Sequence, residues 1–237
     1  MKKVIFFVLI IALFFIFTDN IKAEDNFAYQ HEASAQNQFK KEAGFTGSLR
    51  VDNFSGAANY NLGLEVPPGR NGIQPSLNLY YNSHDKSPGS WVGQGWSLDL
   101  GYVTRTTKEG SNNLYESNEF TLFLNNKSYD LVNLGGNTYG SKAEGDYLKI
   151  ATSTDSWIVT DTMGTKYYFG QTAAARQDDP SDSTRIYKWM LDRVEDTNDN
   201  YYRVTYYKLY GQIYPDDIYY TGHDTTDGPM QISFNLE

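Results

Sequence analysis

The segment Arg185–Lys208, with the sequence RIYKWMLDRVEDTNDNYYRVTYYK, decides the fold class of this chain. Two runs rich in aromatic and β-branched residues, 185–195 and 201–208, flank the five polar residues 196–200. Asp and Asn tolerate positive φ and close tight turns, so the segment predicts a β-hairpin. We expect the segments on both sides of this hairpin to repeat its pattern.

Alternation of apolar and polar residues predicts strands on both sides of this hairpin. Longer alternating segments occur at 58–66, 77–81 and 96–102, and we interpret the last, from Trp96 through Leu98 and Leu100 to Tyr102, as one strand. Shorter strands are predicted at Phe120–Leu124, Ser128–Val132, Tyr147–Ile150, Ser156–Thr160, Thr165–Phe169 and Ile213–Tyr220. These spacings are typical of antiparallel hairpins and meanders, so the predicted fold class is all-β.

Two segments depart from the pattern. Gln171–Ser183 contains three consecutive Ala residues and the acidic pair Asp178 and Asp179, and we interpret it as an exposed insertion. Met230–Glu237 alternates perfectly, and no closing turn follows it. A strand of this kind needs a neighbour for its backbone groups, so we expect an incomplete sheet and self-association through Met230–Glu237.

The composition excludes several classes of function. The 237 residues include 20 Tyr and no Cys, which excludes disulfide frameworks, thiolate metal sites and a Cys nucleophile. The net charge is −9, and no cluster of Lys or Arg follows residue 23, so a nucleic acid partner is not expected. Aromatic residues make up 16% of the chain and favour pleated, half-buried surfaces.

The amino terminus has the pattern of a secretory signal peptide. Lys2 and Lys3 precede the unbroken apolar run 4–17, and Ala23 offers a small residue for cleavage. The run is too short to span a bilayer, which takes about 20 residues. We therefore predict a signal peptide at 1–23 cleaved after Ala23, a polar leader at 24–43, a β-rich domain at 44–237, a secreted product and no membrane span.

Several motifs occur together in one order along the chain. They are VPPGRNGIQPSL (66–77), GQGWSL (93–98), GTKYYFG (164–170), WMLDRVEDTN (189–198), GQIYP (211–215) and YTG (220–222). This set resembles the amino-terminal domain of the virulence plasmid B-type proteins, which is shared with the B subunit of insecticidal toxin complexes and with Rhs/YD-repeat shell proteins. The resemblance covers about residues 44–237.

The resemblance implies a toxin-associated β shell, whose strands form a hollow cocoon around a carboxy-terminal toxin or effector. The partners it implies are the rest of the shell or a second shell or effector chain. One position departs from the family pattern, since Asp199 stands where Gly is usual in the hairpin turn. Asp can enter the left-handed region, so we expect the turn to be kept.

The sequence predicts no catalytic residue, no cofactor-binding residue and no metal-binding residue, and we expect no cofactor. His31, His84 and His223 lack a nucleophile motif around them, so we expect no hydrolytic triad. Asp196, Asn198 and Asn200 have the spacing that begins a calcium loop, but Tyr201 stands where that loop needs Gly. A hairpin turn is the better interpretation.

Three other patterns were weighed. Asp192 and Glu195 are the pair of carboxylates that a glycosidase would need, but a spacing of three places them on opposite faces of a regular strand. Gly93 and Gly95 lack the third Gly of a dinucleotide loop and predict a tight turn before Trp96. The many aromatic side chains favour cross-strand packing, with sugar stacking on a stand-alone carbohydrate-binding or adhesion module as the alternative function.

Overall fold

The computed structural model describes residues 45–86, 90–108, 110–143 and 145–235. The predicted signal peptide and leader, His31 and the last two residues of the predicted carboxy-terminal strand lie outside these ranges. Within them the chain is almost entirely antiparallel β-structure, which confirms the predicted fold class. No helix of this part of the chain has the length and apolarity needed to cross a membrane.

The described strands fall into two sheets, and the first contains four of them in chain order. These are β1 (Phe45–Val51), β2 (Ala58–Leu64), β3 (Leu77–Asn82) and β4 (Trp96–Leu98). A 3₁₀ turn at Arg70–Gly72 lies in the connection between β2 and β3. One face of this sheet is rich in Asn and Ser, and the other carries the apolar residues of β2 to β4, as strand alternation requires.

The second sheet contains twelve strands. They are β5 (Tyr102–Arg105), β6 (Phe120–Leu124), β7 (Lys127–Gly135), β8 (Thr138–Ser141), β9 (Lys149–Thr152), β10 (Trp157–Thr160), β11 (Lys166–Phe169), β12 (Arg176–Asp179), β13 (Asp182–Glu195), β14 (Asn200–Leu209), β15 (Gln212–His223) and β16 (Met230–Ser233). A second 3₁₀ turn, Ala173–Ala175, precedes β12.

Eight of these strands form a closed ring. β5 to β11 pair in chain order, and β13 then pairs with both β5 and β11, which joins the two ends. Inward-facing side chains fill the ring and form the first core, and Trp157 contacts Phe120 and Tyr139 with ring centroids 4.8 and 4.9 Å apart. The ring is therefore packed solid with side chains.

The second core lies between the first sheet and β13 to β16 of the second. Leu77 and Leu98 from the first sheet pack with Val204, Tyr206 and Ile218 from the second. In β14 a residue at every second position faces this core, namely Tyr202, Val204 and Tyr206, and this is the alternation that the sequence shows. Two register shifts interrupt the alternation in β15. The two sheets are thus joined through a shared apolar layer.

Two strand predictions were wrong in detail, and three strands were missed. The segment 96–102 is two strands in different sheets, because Gly101 with φ of 107° turns the chain between β4 and β5. The predicted strand Tyr147–Ile150 begins only at Lys149, and Tyr147 is an exposed residue with φ of 49°. Strands β1, β8 and β12 were not predicted at all.

The predicted insertion Gln171–Ser183 is also not an exposed loop. Its second half contains β12, which pairs with β13, and Ala175 is completely buried in the second core. Three Ala residues without a period looked like a loop, but small side chains are what allow this turn to fit between the packed layers.

The carboxy-terminal strand is shorter and better covered than expected. β16 ends at Ser233, and Ile232 and Phe234 pack into the second core, where the Phe234 ring meets Trp91 edge-on at 5.5 Å. Two apolar side chains of the segment predicted to self-associate are therefore covered within the molecule. Among the described strands β16 pairs only with β15, so its outer edge remains open.

Candidate functional site

A β-bulge interrupts the seam of the ring at Asp192. Tyr168 of β11 pairs with Arg193 and Phe169 pairs with Leu191, so Asp192 is left without a partner residue across the seam. A bulge shifts the side-chain alternation by one residue. Inward-facing Leu191 is accordingly followed by inward-facing Val194, three positions later.

The bulge brings Asp192 and Glu195 to one cavity, which overturns the prediction that they face opposite sides. The cavity, here called the bulge cavity, has a volume of about 550 Å³. Its lining comprises Tyr168, Gln171, Thr172, Ala174, Asp192, Arg193, Glu195, Arg203, Val204, Thr205 and Tyr206. The alternation rule would place Asp192 and Glu195 on opposite faces if the strand were regular. The bulge breaks that rule, and nothing in the sequence marks it.

The carboxylate of Asp192 is unusual in its burial. The residue is 5% exposed, its Oδ2 accepts a hydrogen bond of 3.0 Å from the backbone N–H of Thr172, and its Oδ1 has no hydrogen-bond partner. Burial raises the pKa of Asp192 to about 6, against the lowering effect of the N–H groups of Thr172 and Gln171. The carboxyl group of Asp192 therefore changes charge near pH 6.

The other charges around the cavity are neutralised in pairs. Arg193 donates to Glu195 Oε2 at 2.7 and 2.9 Å, and Arg203 forms a bidentate pair with Asp227 at 2.6 and 2.8 Å. Each guanidinium also lies over an aromatic ring, Arg193 over Tyr201 and Arg203 over Tyr219. Glu195 is thus held by an ion pair rather than poised as a free base.

The hairpin turn beside the cavity is confirmed, in place of a calcium loop. Asp196 Oδ1 accepts the backbone N–H groups of Asn198 and Asn200 at 2.8 and 2.9 Å, and Oδ2 accepts the Asn200 side-chain amide at 2.8 Å. Asp199 has φ of 59°, the left-handed conformation expected for it. The oxygens of the Asp196 carboxylate are thus occupied by N–H donors. A cation at this position would need those same oxygens as ligands.

The same carboxylate reaches the first sheet. Asn71, in the turn between β2 and β3, donates its side-chain amide to Asp196 Oδ2 at 2.9 Å. Burial alone would raise the pKa of Asp196, but the hydrogen bonds from Asn200 and Asn71 and from two backbone N–H groups lower it to about 2. Two motifs that are 125 residues apart in sequence therefore meet at one group.

A second concave surface lies on the polar face of the first sheet. It has a volume of about 730 Å³ and is lined by Ser48, Arg50, Val51, Asp52, Asn53, Phe54, Asn59, Asn61 and Tyr80. Tyr80 is 43% exposed and donates its hydroxyl to Asn59 Oδ1 at 2.6 Å. This is where the described residues could present rings and amides to a sugar.

The remaining predicted positions are structural. Gly93 and Gly95 have φ of 110° and 80° and form the turn expected before Trp96, and a Cβ on Gly95 would lie 2.8 Å from the Tyr81 ring. His84 and His223 are exposed. The described residues contain no group of three or more side chains suited to hold a metal ion.

The acids of the segment 178–182 serve local structure. Asp178 forms an ion pair of 2.6 Å with Lys208, while Asp179 and Asp182 accept hydrogen bonds from Ser181 and Thr184. The sequence predicts Asp178 and Asp179 to lie in an exposed insertion. Asp178 is instead part of the contact between β12 and β14.

Comparison with known proteins confirms the resemblance seen in the sequence. Residues 52–147 match the sequence model of the family described as SpvB, Salmonella virulence plasmid 65kDa B protein. No curated protein sequence matches the chain. The matched residues include two of the motifs that carried the resemblance, 66–77 and 93–98.

Solved structures share the fold. The crystal structure of TcdB2-TccC3 is 20% identical with a TM-score of 0.60, and the match covers 78% of this chain and 11% of that one. The Photorhabdus luminescens Tc holotoxin pore is 20% identical with a TM-score of 0.60, covering 76% and 10%. The amino-terminal domain of effector protein SpvB from Salmonella typhimurium strain LT2 is 19% identical with a TM-score of 0.51, covering 67% and 62%.

These likenesses associate the fold with toxin-complex and virulence proteins. The match spans about a tenth of the length of the toxin-complex chains and less than two thirds of the SpvB domain. At these identities the likeness shows the fold, and the activities and partners of the larger proteins do not follow from it.

Proposed function

We propose that this chain is a secreted, non-enzymatic structural segment of a toxin-complex or Rhs-like shell that helps to enclose or deliver a toxin or effector. The observation that carries the proposal is the shared fold with TcdB2-TccC3 over 78% of the chain. The filled ring and the apolar layer between the sheets support it, because both are stiff building elements rather than openings for a substrate.

The electrostatics of the bulge cavity support a non-catalytic role. A hydrolase that uses two carboxylates needs one ionised and free to act and one protonated near its substrate. Here Glu195 is neutralised by Arg193, and Asp192 Oδ1 is shielded from solvent. The partners we propose are the rest of a shell, or a second shell or effector chain.

The test is to isolate the native protein from the producing cells and from their culture fluid. We expect a mature chain that begins at Glu24, eluting in a particle several times larger than its own mass. A cargo polypeptide in that particle should resist protease until denaturant opens it. A chain found at its own mass in both fractions would contradict the proposal.

A glycan array separates this proposal from the alternative of a carbohydrate-binding or adhesion module. The alternative predicts retention through the concave face that includes Tyr80, and loss of retention in Tyr80→Ala. The shell segment predicts no saturable glycan binding by either protein. Saturable binding that needs Tyr80 would move the assignment to the alternative.

A further inference from the structure

The turn Gln171–Ala175, here called the wedge, packs against the second core and follows β11, whose Phe169 lies in the first core. Ala175 is fully buried in the second core and Ala174 packs against that core, while the chain on either side belongs to β11 and β12. Thr172 caps the 3₁₀ turn, since its Oγ1 accepts the Ala175 N–H at 3.3 Å. The position of the wedge therefore affects the packing of the second core.

The wedge is tied to the seam strand β13 through Asp192. The Thr172 N–H donates to Asp192 Oδ2 at 3.0 Å, and nothing donates to Oδ1. The neighbouring tie is backbone only, from the Gly170 N–H to the Met190 carbonyl at 2.9 Å. Asp192 is thus the side chain through which β13 holds the wedge.

The charged groups that face Asp192 leave its charge unpaired. On its own strand they are Arg193 and Glu195, on β11 Tyr168, on β12 Arg176, and on β14 Arg203 and Tyr206. The wedge itself contributes no titratable group.

Every nearby cation is engaged elsewhere. Arg193 pairs with Glu195, Arg203 with Asp227, and Arg176 with Asp155 at 3.1 Å. Arg176 also donates to the Gly170 and Gln171 carbonyls. No ion pair to Asp192 exists among the described residues.

A carboxyl in this position is far better accommodated neutral than ionised. An ionised carboxylate that is 5% exposed, with one oxygen lacking any donor, bears a large desolvation penalty, whereas a neutral carboxyl in the same place bears a smaller one. Opening the wedge would return the group to water and remove that penalty. Ionisation and opening are therefore coupled.

We propose that Asp192 is a proton-operated latch, which holds the wedge closed against the second core when it is neutral and releases it when it ionises. The direction follows from the sign of the shift. Because burial raises the pKa of Asp192 from 3.8 to about 6, the stabilisation of the closed wedge is fully present below 3.8 and is lost as pH rises through 6.

The experiment is amide hydrogen exchange of the full chain between pH 4 and pH 7.5, corrected for intrinsic exchange. The amides of Thr172 and Ala175 report the wedge, and that of Val159 in the first core is the internal reference. A pKa change of about two units corresponds to about 100-fold in the opening equilibrium, so wedge protection should fall by up to about that factor. The Val159 amide should change much less.

Two variants make the test specific. Asp192→Asn is permanently neutral, so its wedge protection should vary less than about threefold over the same range. Asp216→Asn removes an exposed carboxylate and should behave as the wild type does. An equal fall in Asp192→Asn and wild type, or no fall in wild type, would overturn the latch.

Direct titration of the wild-type protein covers the case in which Asp192→Asn fails to fold. The carboxyl carbon of Asp192, observed by NMR, should titrate with a midpoint near 6 together with the Thr172 amide shift. A midpoint near 3.8, or a Thr172 amide that does not follow the carboxyl, would equally refute the proposal.

Discussion

The closed ring and the first sheet differ in whether their strands leave a free edge. Every strand of the ring has a hydrogen-bonded neighbour on both sides, and its core is enclosed by its own strands. The first sheet has four strands and ends in β1, whose Leu49 and Val51 are each 54% exposed. Closure makes the ring self-sufficient, whereas the first sheet depends on what it is docked against.

The docking has two components that differ in kind. Leu77 and Leu98 contribute apolar contact with the second core, and Asn71 contributes one hydrogen bond to Asp196. Apolar burial sets most of the strength, and the hydrogen bond sets the position. Substitutions in each region should therefore differ in size and in how far their effects spread.

The largest effect is expected for Trp157→Ala in the ring. Trp157 is 2% exposed and contacts Phe120, Tyr139 and Trp189, so the free energy of unfolding should fall by about 3–5 kcal/mol. Denaturant unfolding followed by circular dichroism measures it. Met163→Ala, at a residue 83% exposed, should change the free energy by less than about 0.5 kcal/mol.

Asp196→Ala should come next, at about 2–4 kcal/mol, because it removes the acceptor of four hydrogen bonds and leaves buried amide donors without partners. Its effect should reach both regions, since the carboxylate joins the hairpin of β13 and β14 to the first sheet. Denaturant midpoints of the variant and wild type measure the loss.

Acid unfolding provides the control for Asp196. Because its pKa is lowered to about 2, the stabilisation is present above 3.8 and is lost as pH falls through 2. The gap in stability between wild type and Asp196→Ala should therefore narrow toward pH 2. A gap that stays constant would show that the charge contributes nothing.

Trp96→Ala should have an intermediate effect of about 1–3 kcal/mol. Trp96 is only half-buried, against Tyr60 and Tyr81 at 6.2 and 5.1 Å, so less contact is lost than at Trp157. Parallel denaturation of the two variants is the measurement. Equal losses of unfolding free energy in Trp96→Ala and Trp157→Ala would contradict the inference that the ring is more tightly packed than the first sheet.

Asn71→Ala removes the hydrogen bond from the turn before β3 to Asp196 and should cost about 1 kcal/mol. Hydrogen exchange should quicken for amides of the Arg70–Gly72 turn and of β3, while amides of the ring keep their protection. Uniform quickening throughout the chain would mean that the first sheet and the ring unfold as one unit.

Asp199→Gly should have the smallest effect, within about 0.5 kcal/mol of wild type. Asp199 has φ of 59°, so Gly relieves strain in the folded hairpin but gains freedom in the unfolded chain. Thermal unfolding of the variant measures the balance. A loss above about 1 kcal/mol would show that the Asp199 side chain has a role in the turn.

The sequence predicted strands correctly where apolar and polar side chains alternate without interruption. Strands β6 and β14 and the turn at 196–200 were predicted because regular alternation and turn residues report local geometry. Ring closure was not predictable, because pairing of β13 with both β5 and β11 is a long-range choice among many compatible strands.

The bulge at Asp192 escaped prediction for a different reason. A bulge changes the phase of alternation by a single residue, and Leu191, Asp192 and Val194 are compatible with either phase. The wedge was missed because Ala residues carry no period, although burial of Ala175 is what they permit. The bulge cavity was therefore not predictable, because the bulge and the wedge are the two segments that do not follow regular strand alternation.

The role of β13 as the seam also determines when the molecule can fold. β5 and β11 both complete their pairing on a strand that is synthesised last among the eight of the ring, some 80 residues after β5. Loop-closure entropy must be overcome before those contacts form, and topologies of this kind fold slowly. The ring therefore cannot close, and the first core cannot be fully enclosed, until residue 195 has been synthesised.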